Sequence, residues 1–194
     1  MASQSERRQE TRARLIAAAR ACFVEDGYDA AALDRIVVLA GVSKGALYHH
    51  FASKQDLFAA VFEAVSRETI ARAGATRART AFARLMVAAC AWLEAVETPD
   101  ARAIMLEEAP RALGARRARE IEDANAHAAM RAAVDAVVRA GEGACADPDL
   151  AARLLNATLA ELALLRHASG GKTPGDKAMK AAVESVARGL LGVA

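Results

Sequence analysis

Between Ser43 and Phe51 the chain reads Ser-Lys-Gly-Ala-Leu-Tyr-His-His-Phe, and Ser53-Lys54-Gln55-Asp56 follows almost at once. An ammonium (Lys44), a phenol (Tyr48) and two imidazoles (His49, His50) surround two residues with almost no side chain, Gly45 and Ala46. At about 100° per residue, Leu47 and Phe51 share one face of a helix, while Gly45 and His49 lie opposite. Such a face can bring its backbone close to a groove while its rim reaches phosphate oxygens, which suits a helix entering the DNA major groove by its N-terminal end. Ser53 is placed to cap a further helix, with Asp56 at its third position. Lys54 adds a full charge where free amides already favour an anion. Arg7, Arg8, Arg12, Arg14 and Arg20 against Glu6 and Glu10 give the first twenty residues a local charge of +3. They read as a basic arm ahead of the first helix, clamping a phosphate backbone.

These groups need a rigid mount, and the preceding residues supply one. Leu33, Ile36, Val37 and Ala40 form a short apolar stripe that ends at Gly41, where a positive φ would turn the chain sharply. Ser43 then caps the next helix, offering its hydroxyl to the amide of Gly45 or Ala46, with Val42 and Leu47 spaced as a hydrophobic staple. This is a helix–turn–helix arrangement. The same arrangement occurs in proteins that bind no DNA, so a helical interaction or dimerisation module without operator binding is the alternative reading.

Helical periodicity continues through the rest of the chain, predicting an all-α fold of about nine helices. A first helix carries Leu15, Ile16, Ala19, Cys22 and Phe23 and stops at Asp26-Gly27. A fourth begins at Ser53 and carries Leu57, Phe58, Val61, Phe62 and Val65, with Gly74 as its break. Phe82, Leu85, Met86, Ala89, Leu93 and Val96 make the next stripe, closed by Thr98-Pro99-Asp100. A short segment from Ala101 to Ala109 is expected to end at Pro110. A long helix follows from Ala115 to Ala140, with Ile121, Met130, Val134 and Val137 inward. Asp147 and Pro148 open another, bearing Leu150, Leu154, Leu155, Leu159, Leu162 and Leu165. The last helix turns Met179, Val183, Val186 and Leu190 to the core.

Composition narrows the function classes. The 194 residues hold 26 Lys+Arg and 24 Asp+Glu, so no global charge argues for nucleic acid and the case rests on the local groups. No apolar run approaches the roughly 18–20 residues of a membrane span, and no signal-peptide core is visible, so a cytoplasmic protein without a membrane partner is expected. Cys22, Cys90 and Cys145 lie far apart without metal-site spacing and read as buried reduced thiols; no metal or cofactor is expected. Gly171-Lys172-Thr173 ends like a phosphate loop, but Arg166 stands where that motif needs glycine. No nucleophile–base pair supports an enzyme.

Gly27-Tyr28, Leu33-Asp34-Arg35-Ile36, the run Ala40 to Phe51 and Ser53 to Leu57 together resemble the DNA-binding domain of TetR-family transcriptional regulators, over roughly residues 8–68. The resemblance implies a three-helix DNA-binding domain (1–70) and a C-terminal helical domain (75–194) that binds a small-molecule effector and forms a homodimer. The implied function is ligand-responsive transcriptional regulation, with a repressor released from a palindromic double-stranded operator. By that likeness Lys44, Gly45 and Ala46 approach base edges behind the Ser43 cap, and Tyr48, His49, His50 and Lys54 hold phosphates. The family's usual Ser or Thr before Leu33 is replaced by Ala31-Ala32, removing a helix cap worth about 1 kcal/mol.

Effector-lining candidates come from composition alone: Phe82, Met86, Cys90 and Trp92 on one helix, with Met105, Met130 and Asn156 across from it. His127, Glu161 and His167 are the further polar candidates. The last two helices, with small Ala157, Ala160 and Ala163, suit dimerisation as a four-helix bundle.

Overall fold

Alanine-rich stripes punctuated by glycine and proline fold into helices throughout. The structure, a computed structural model, describes residues 3–75, 77–168 and 175–193. Among these there is no strand, and the helical stretches are α1 (Gln4–Ala30), α2 (Leu33–Ala40), α3 (Lys44–His50), α4 (Lys54–Gly74), α5 (Ala81–Ala95), α6 (Pro99–Ala101, a π-helical Arg102–Glu108 and Ala109–Ala112), α7 (Gly114–Arg139), α8 (Pro148–Ala168) and α9 (Asp176–Leu191). The chain divides into two compact units that are discontinuous in sequence: residues 1–65 with 102–121, and residues 66–101 with 122–194. The glycine-rich Gly171-Lys172-Thr173 lies outside the described residues.

In the first unit α1 starts earlier than the charge pattern implied. Ser3 and Glu6 form a reciprocal capping box, Glu6 N–H donating to Ser3 Oγ at 3.2 Å and Ser3 N–H to Glu6 Oε2 at 2.5 Å. The basic residues therefore lie within the helix rather than on an arm ahead of it. Gly27 breaks α1 with φ 76° and ψ 166°. Its φ is positive but its ψ is extended, so a last turn resumes beyond the expected stop and Ala31 N–H donates to Gly27 O at 3.1 Å. Beyond it Tyr28 folds back onto the core, with ring centroids 5.8 Å from Phe23 and 5.2 Å from Phe58; Phe23 and Phe58 lie 5.1 Å apart. Leu15, Phe23, Ile36, Leu47, Phe58 and Phe62 are sealed from solvent, so α1 to α4 share one core.

Pro110 does not end its helix. The widened π-helical turn before it places Pro110 at the start of the Ala109–Ala112 turn, where its missing N–H leaves no bond unmade. The π-helical segment packs on α1. Glu108 accepts the Tyr28 N–H at 3.0 Å, and Gln55 Nε2 donates to Ala112 O at 2.7 Å.

In the second unit α5, α8 and α9 pack on one another. Every residue of the α5 stripe is buried. Its N-terminus is held by the Thr80 cap and by Glu142, whose carboxylate accepts the Ala81 and Phe82 N–H groups at 2.8 and 2.7 Å. Those amides hold the Glu142 carboxyl below the usual carboxylate range. The α8 cap is as expected: Asp147 Oδ1 accepts the Asp149 and Leu150 N–H groups at 3.1 and 3.0 Å. Other positions differ from the pattern. On α7, Val134 and Val137 are buried but Ile121 and Met130 only half-buried; on α8, Leu150, Leu154 and Leu165 are exposed. On α9 the buried row is Met179, Val183, Ala187 and Leu191, so Val186 and Leu190 sit beside it. The end of α9 is pinned by Ala144 N–H donating to Leu191 O at 2.8 Å. Cys22 is buried, Cys90 and Cys145 are half-buried, and all three are free thiols.

The aromatic cluster seats both the α1 break and the start of α4. Phe58→Ala is expected to cost about 3–5 kcal/mol in urea denaturation; a loss below about 1 kcal/mol would show that the cluster does not carry the packing.

Candidate nucleic-acid interface

Each segment of the predicted helix–turn–helix takes its local structure for a visible reason. The α2 N-cap is Ala32, with no side-chain hydrogen bond, as the alanines there implied. At its other end Gly41 is left-handed (φ 62°, ψ 42°), a conformation a Cβ disfavours, and the chain reverses. Ser43 Oγ then accepts the Ala46 N–H at 3.1 Å and starts α3. At the start of α4, Ser53 Oγ accepts the Asp56 N–H at 3.0 Å.

The turn is closed from α1. The Arg14 guanidinium donates to Ala40 O from Nε at 2.9 Å and from an Nη at 2.6 Å, and that Nη also reaches Gly41 O at 2.8 Å. These are last-turn carbonyls of α2 and the turn itself, left without helical partners. Arg14 is thus an intramolecular clamp, not part of a phosphate-binding arm. Arg12 lies over the Phe51 ring at 5.3 Å.

With Leu47 and Phe51 buried, α3 presents Lys44, Gly45, Tyr48 and His49 to solvent, and Ala46 and His50 are half-buried. Nothing but Ser43 Oγ, 3.8 Å away, would meet a Cβ on Gly45, so the space beside it is open. The His49 and His50 rings stand edge-on with centroids 5.7 Å apart. The cations are not idle: Lys44 Nζ lies 2.8 Å from Asp34 Oδ1, and Lys54 Nζ sits 5.0 Å over the Tyr28 ring while donating to Asp29 O at 3.1 Å. Burial pushes the His50 imidazole below its ordinary value, and His49, Arg8 and Arg12 add to that shift.

Sequence reasoning missed Asp34, Arg14 as a clamp, and the Tyr28–Lys54 stack. All three depend on partners brought together by the fold, and only the acid–base pairing of residues 34 and 44 had a signal in residue type.

Six of the seven effector-lining candidates lie in the second unit, and Met105 alone in the first. Phe82 and Met86 are buried in the α5 stripe, Cys90 and Trp92 half-buried beside it; Met130 on α7 and Asn156 on α8 are half-buried. Met105 is buried in the π-helical turn and belongs to the other compact unit. A shallow hollow of about 390 Å³ in the first unit is lined by Arg14, Ala17, Ala18, Ala21, Leu39 and Ala40, none of them candidates. In the second unit His127 Nε2 lies 2.7 Å from Asp149 Oδ1, while Asn125 Nδ2 and Asn156 Nδ2 are buried without hydrogen-bond partners. Glu161 is exposed and His167 half-buried.

The depressed His50 sets a pH dependence. The folded state binds that proton more weakly than the unfolded chain, so His50's contribution to stability is present above the unfolded value near 6.5 and is lost as pH falls below it. Urea denaturation at pH 7.5 and 5.5 is expected to show a smaller loss on acidification for His50→Gln than for the parent protein; an equal loss would contradict the burial of His50 beside His49, Arg8 and Arg12.

Comparison with known proteins bears on this geometry. Residues 15–61 match the model of bacterial regulatory proteins of the tetR family, and residues 82–190 match the tetracyclin repressor-like C-terminal domain. The chain is 50% identical over 56 residues, 29% of its length, to the HTH-type transcriptional activator FasR of Mycolicibacterium smegmatis. It is 43% identical over 68 residues, 35% of its length, to the HTH-type transcriptional repressor AcnR of Corynebacterium diphtheriae. These two matches span only 26% and 32% of the relatives' own lengths. The solved structure of a TetR-family transcriptional regulator from Pectobacterium atrosepticum superposes with a TM-score of 0.74 at 31% identity, covering 98% of both chains. RolR in complex with the ligand resorcinol shares the fold, with a TM-score of 0.75 at 18% identity over 98% of this chain and 91% of that one. With a sequence model covering each half and a whole-length likeness at 31% identity, the chain belongs to the tetR family of bacterial regulatory proteins, a family of regulators and not of enzymes.

Proposed function

We propose that this protein is a homodimeric, ligand-responsive DNA-binding transcriptional regulator, a repressor that a small-molecule effector releases from a palindromic operator. The observation that carries the reading is the open Gly45–Ala46 face of α3, held by the Gly41 turn and rimmed by Lys44, Tyr48, His49 and His50. Lys44, Gly45 and Ala46 approach base edges behind the Ser43 cap; Tyr48, His49, His50 and Lys54 hold phosphates. The likeness to AcnR supports repression.

Residues 1–70 are assigned to DNA binding and residues 75–194 to effector binding and dimerisation. Exposed Leu150, Leu154 and Leu164 on α8 support a self-association surface including α8 and α9. Ala163 is already spent in the chain's own core, so close approach falls to the half-buried Ala157 and Ala160. The effector site is assigned to the second unit, where buried Asn125 Nδ2 and Asn156 Nδ2 would gain from a ligand offering hydrogen-bond acceptors, with Phe82, Met86, Cys90, Trp92 and Met130 as apolar lining. Met105, buried in the first unit, is the weakest member of that set. That RolR was solved with resorcinol supports a small-molecule role for the fold. Effector binding then favours a conformation whose two α3 helices are wrongly spaced for one turn of B-DNA, about 34 Å, with a coupling of about 1–3 kcal/mol.

Selection of bound duplexes from a random pool is expected to enrich an inverted repeat with half-sites about one helical turn apart. No enrichment would favour the dimerisation module instead. Lys54→Ala is expected to weaken binding to all duplexes alike and to lower the log–log salt slope by about 1 per half-site. A change confined to one base position would contradict its phosphate role.

A further inference from the structure

Lys44 has an acidic partner within the helix–turn–helix. Asp34 stands in the first turn of α2, its carboxylate 2.8 Å from the ammonium that opens α3. Both side chains are largely exposed, at 75% and 54%, so solvent screens the pair and it adds little to the stability of the fold. The nearby Arg35 is taken by Glu25 and Asp26 from α1. Lys44 is therefore tied across the helix–turn–helix by a carboxylate. Its ammonium is held above the ordinary lysine value chiefly by the Asp34 hydrogen bond.

We infer that Asp34 is a specificity-setting residue: it stands in for phosphate on Lys44, so that a random duplex gains little from this cation. A duplex that offers Lys44 a better acceptor draws it away. The physical basis is an exchange. Binding any DNA through Lys44 requires breaking the Asp34 pair and bringing that carboxylate near the polyanion. A phosphate contact replaces one exposed ion pair by another and gains little. A base-edge acceptor pair such as guanine O6 and N7, reached in the major groove, adds hydrogen bonds that Asp34 does not supply. Asp34 thus lowers binding to all sequences, and lowers it most where only phosphates are offered. The inference rests on the proposal that α3 reads DNA. It adds that an acidic residue outside the contacting set fixes the ratio of specific to non-specific binding.

The test uses the full-length protein, a duplex carrying the selected inverted repeat, and a scrambled duplex of equal length, titrated over a range of salt. Asp34→Asn keeps the side-chain shape and removes the charge, and thermal melting checks that the fold is unchanged. The variant is expected to bind the scrambled duplex about three- to tenfold more tightly, with a salt slope steeper by about 1 to 2. The selected duplex is expected to gain less, so the specificity ratio falls. In a Lys44→Ala background the same change is expected to have no effect on that ratio. An unchanged ratio, an equal effect without Lys44, or an altered preference at one base pair, which would make Asp34 itself a base contact, each overturns the inference. If the parent protein binds neither duplex, the underlying DNA-reading proposal fails first, and that result is distinct from a parent that binds and a variant that does not change.

Discussion

A left-handed glycine closed by a single guanidinium is the constraint on which the interface depends. Gly41 reverses the chain between α2 and α3 only because it lacks a Cβ, and reversal alone would leave the last carbonyls of α2 without partners. Arg14 supplies those partners from α1 through three hydrogen bonds, two to Ala40 O and one to Gly41 O. A charged donor to a backbone carbonyl is worth about 1.5–3 kcal/mol, more than an ordinary neutral bond. It also fixes a direction, because α1, α2 and the turn are held at one point from which α3 projects. The open Gly45 face is useful only if that projection is fixed.

A second set of contacts holds the start of α4. Lys54 rests on Tyr28, Tyr28 is held by Glu108 through its N–H, and Gln55 donates to Ala112 O. The π-helical turn is what brings Glu108 to that place while letting Pro110 sit in the next helical turn without a lost hydrogen bond. A segment some eighty residues away in sequence therefore belongs to the compact unit that carries the interface. The cations at the start of α3 and α4 already have partners inside the unit, Asp34 for Lys44 and Asp29 O with Tyr28 for Lys54, so any binding through them is an exchange of contacts and not the filling of vacant ones.

Much of this was legible in residue types and spacing, and the reason is locality. The Gly41 turn, the Ser43 and Asp147 caps, the missing cap at Ala32 and the fully buried α5 stripe each follow from residues within a few positions of one another. So does the inward placement of Leu47 and Phe51 beneath the exposed α3 face. What escaped depended on partners distant in sequence. Arg14 reads as one basic residue among five until α2 folds against it. Pro110 reads as a helix end until a π-helical turn makes room for it. The α9 row reads as Val186 and Leu190 from the larger apolar side chains, but the helix buries the i+4 series ending in Ala187 and Leu191. The effector candidates rest on composition, and composition carries no information that Met105 belongs with the first unit.

Specific duplex binding by an Arg14→Gln variant, at a temperature where circular dichroism shows its helices intact, decides whether Arg14 aims α3. Glutamine keeps the length of the side chain but lacks the charged fork that spans both carbonyls. The expected outcome is loss of preference for the selected repeat, with weak salt-sensitive binding to any duplex retained. A folded variant that still prefers the repeat as strongly as the parent would show that α3 is aimed by something other than this clamp.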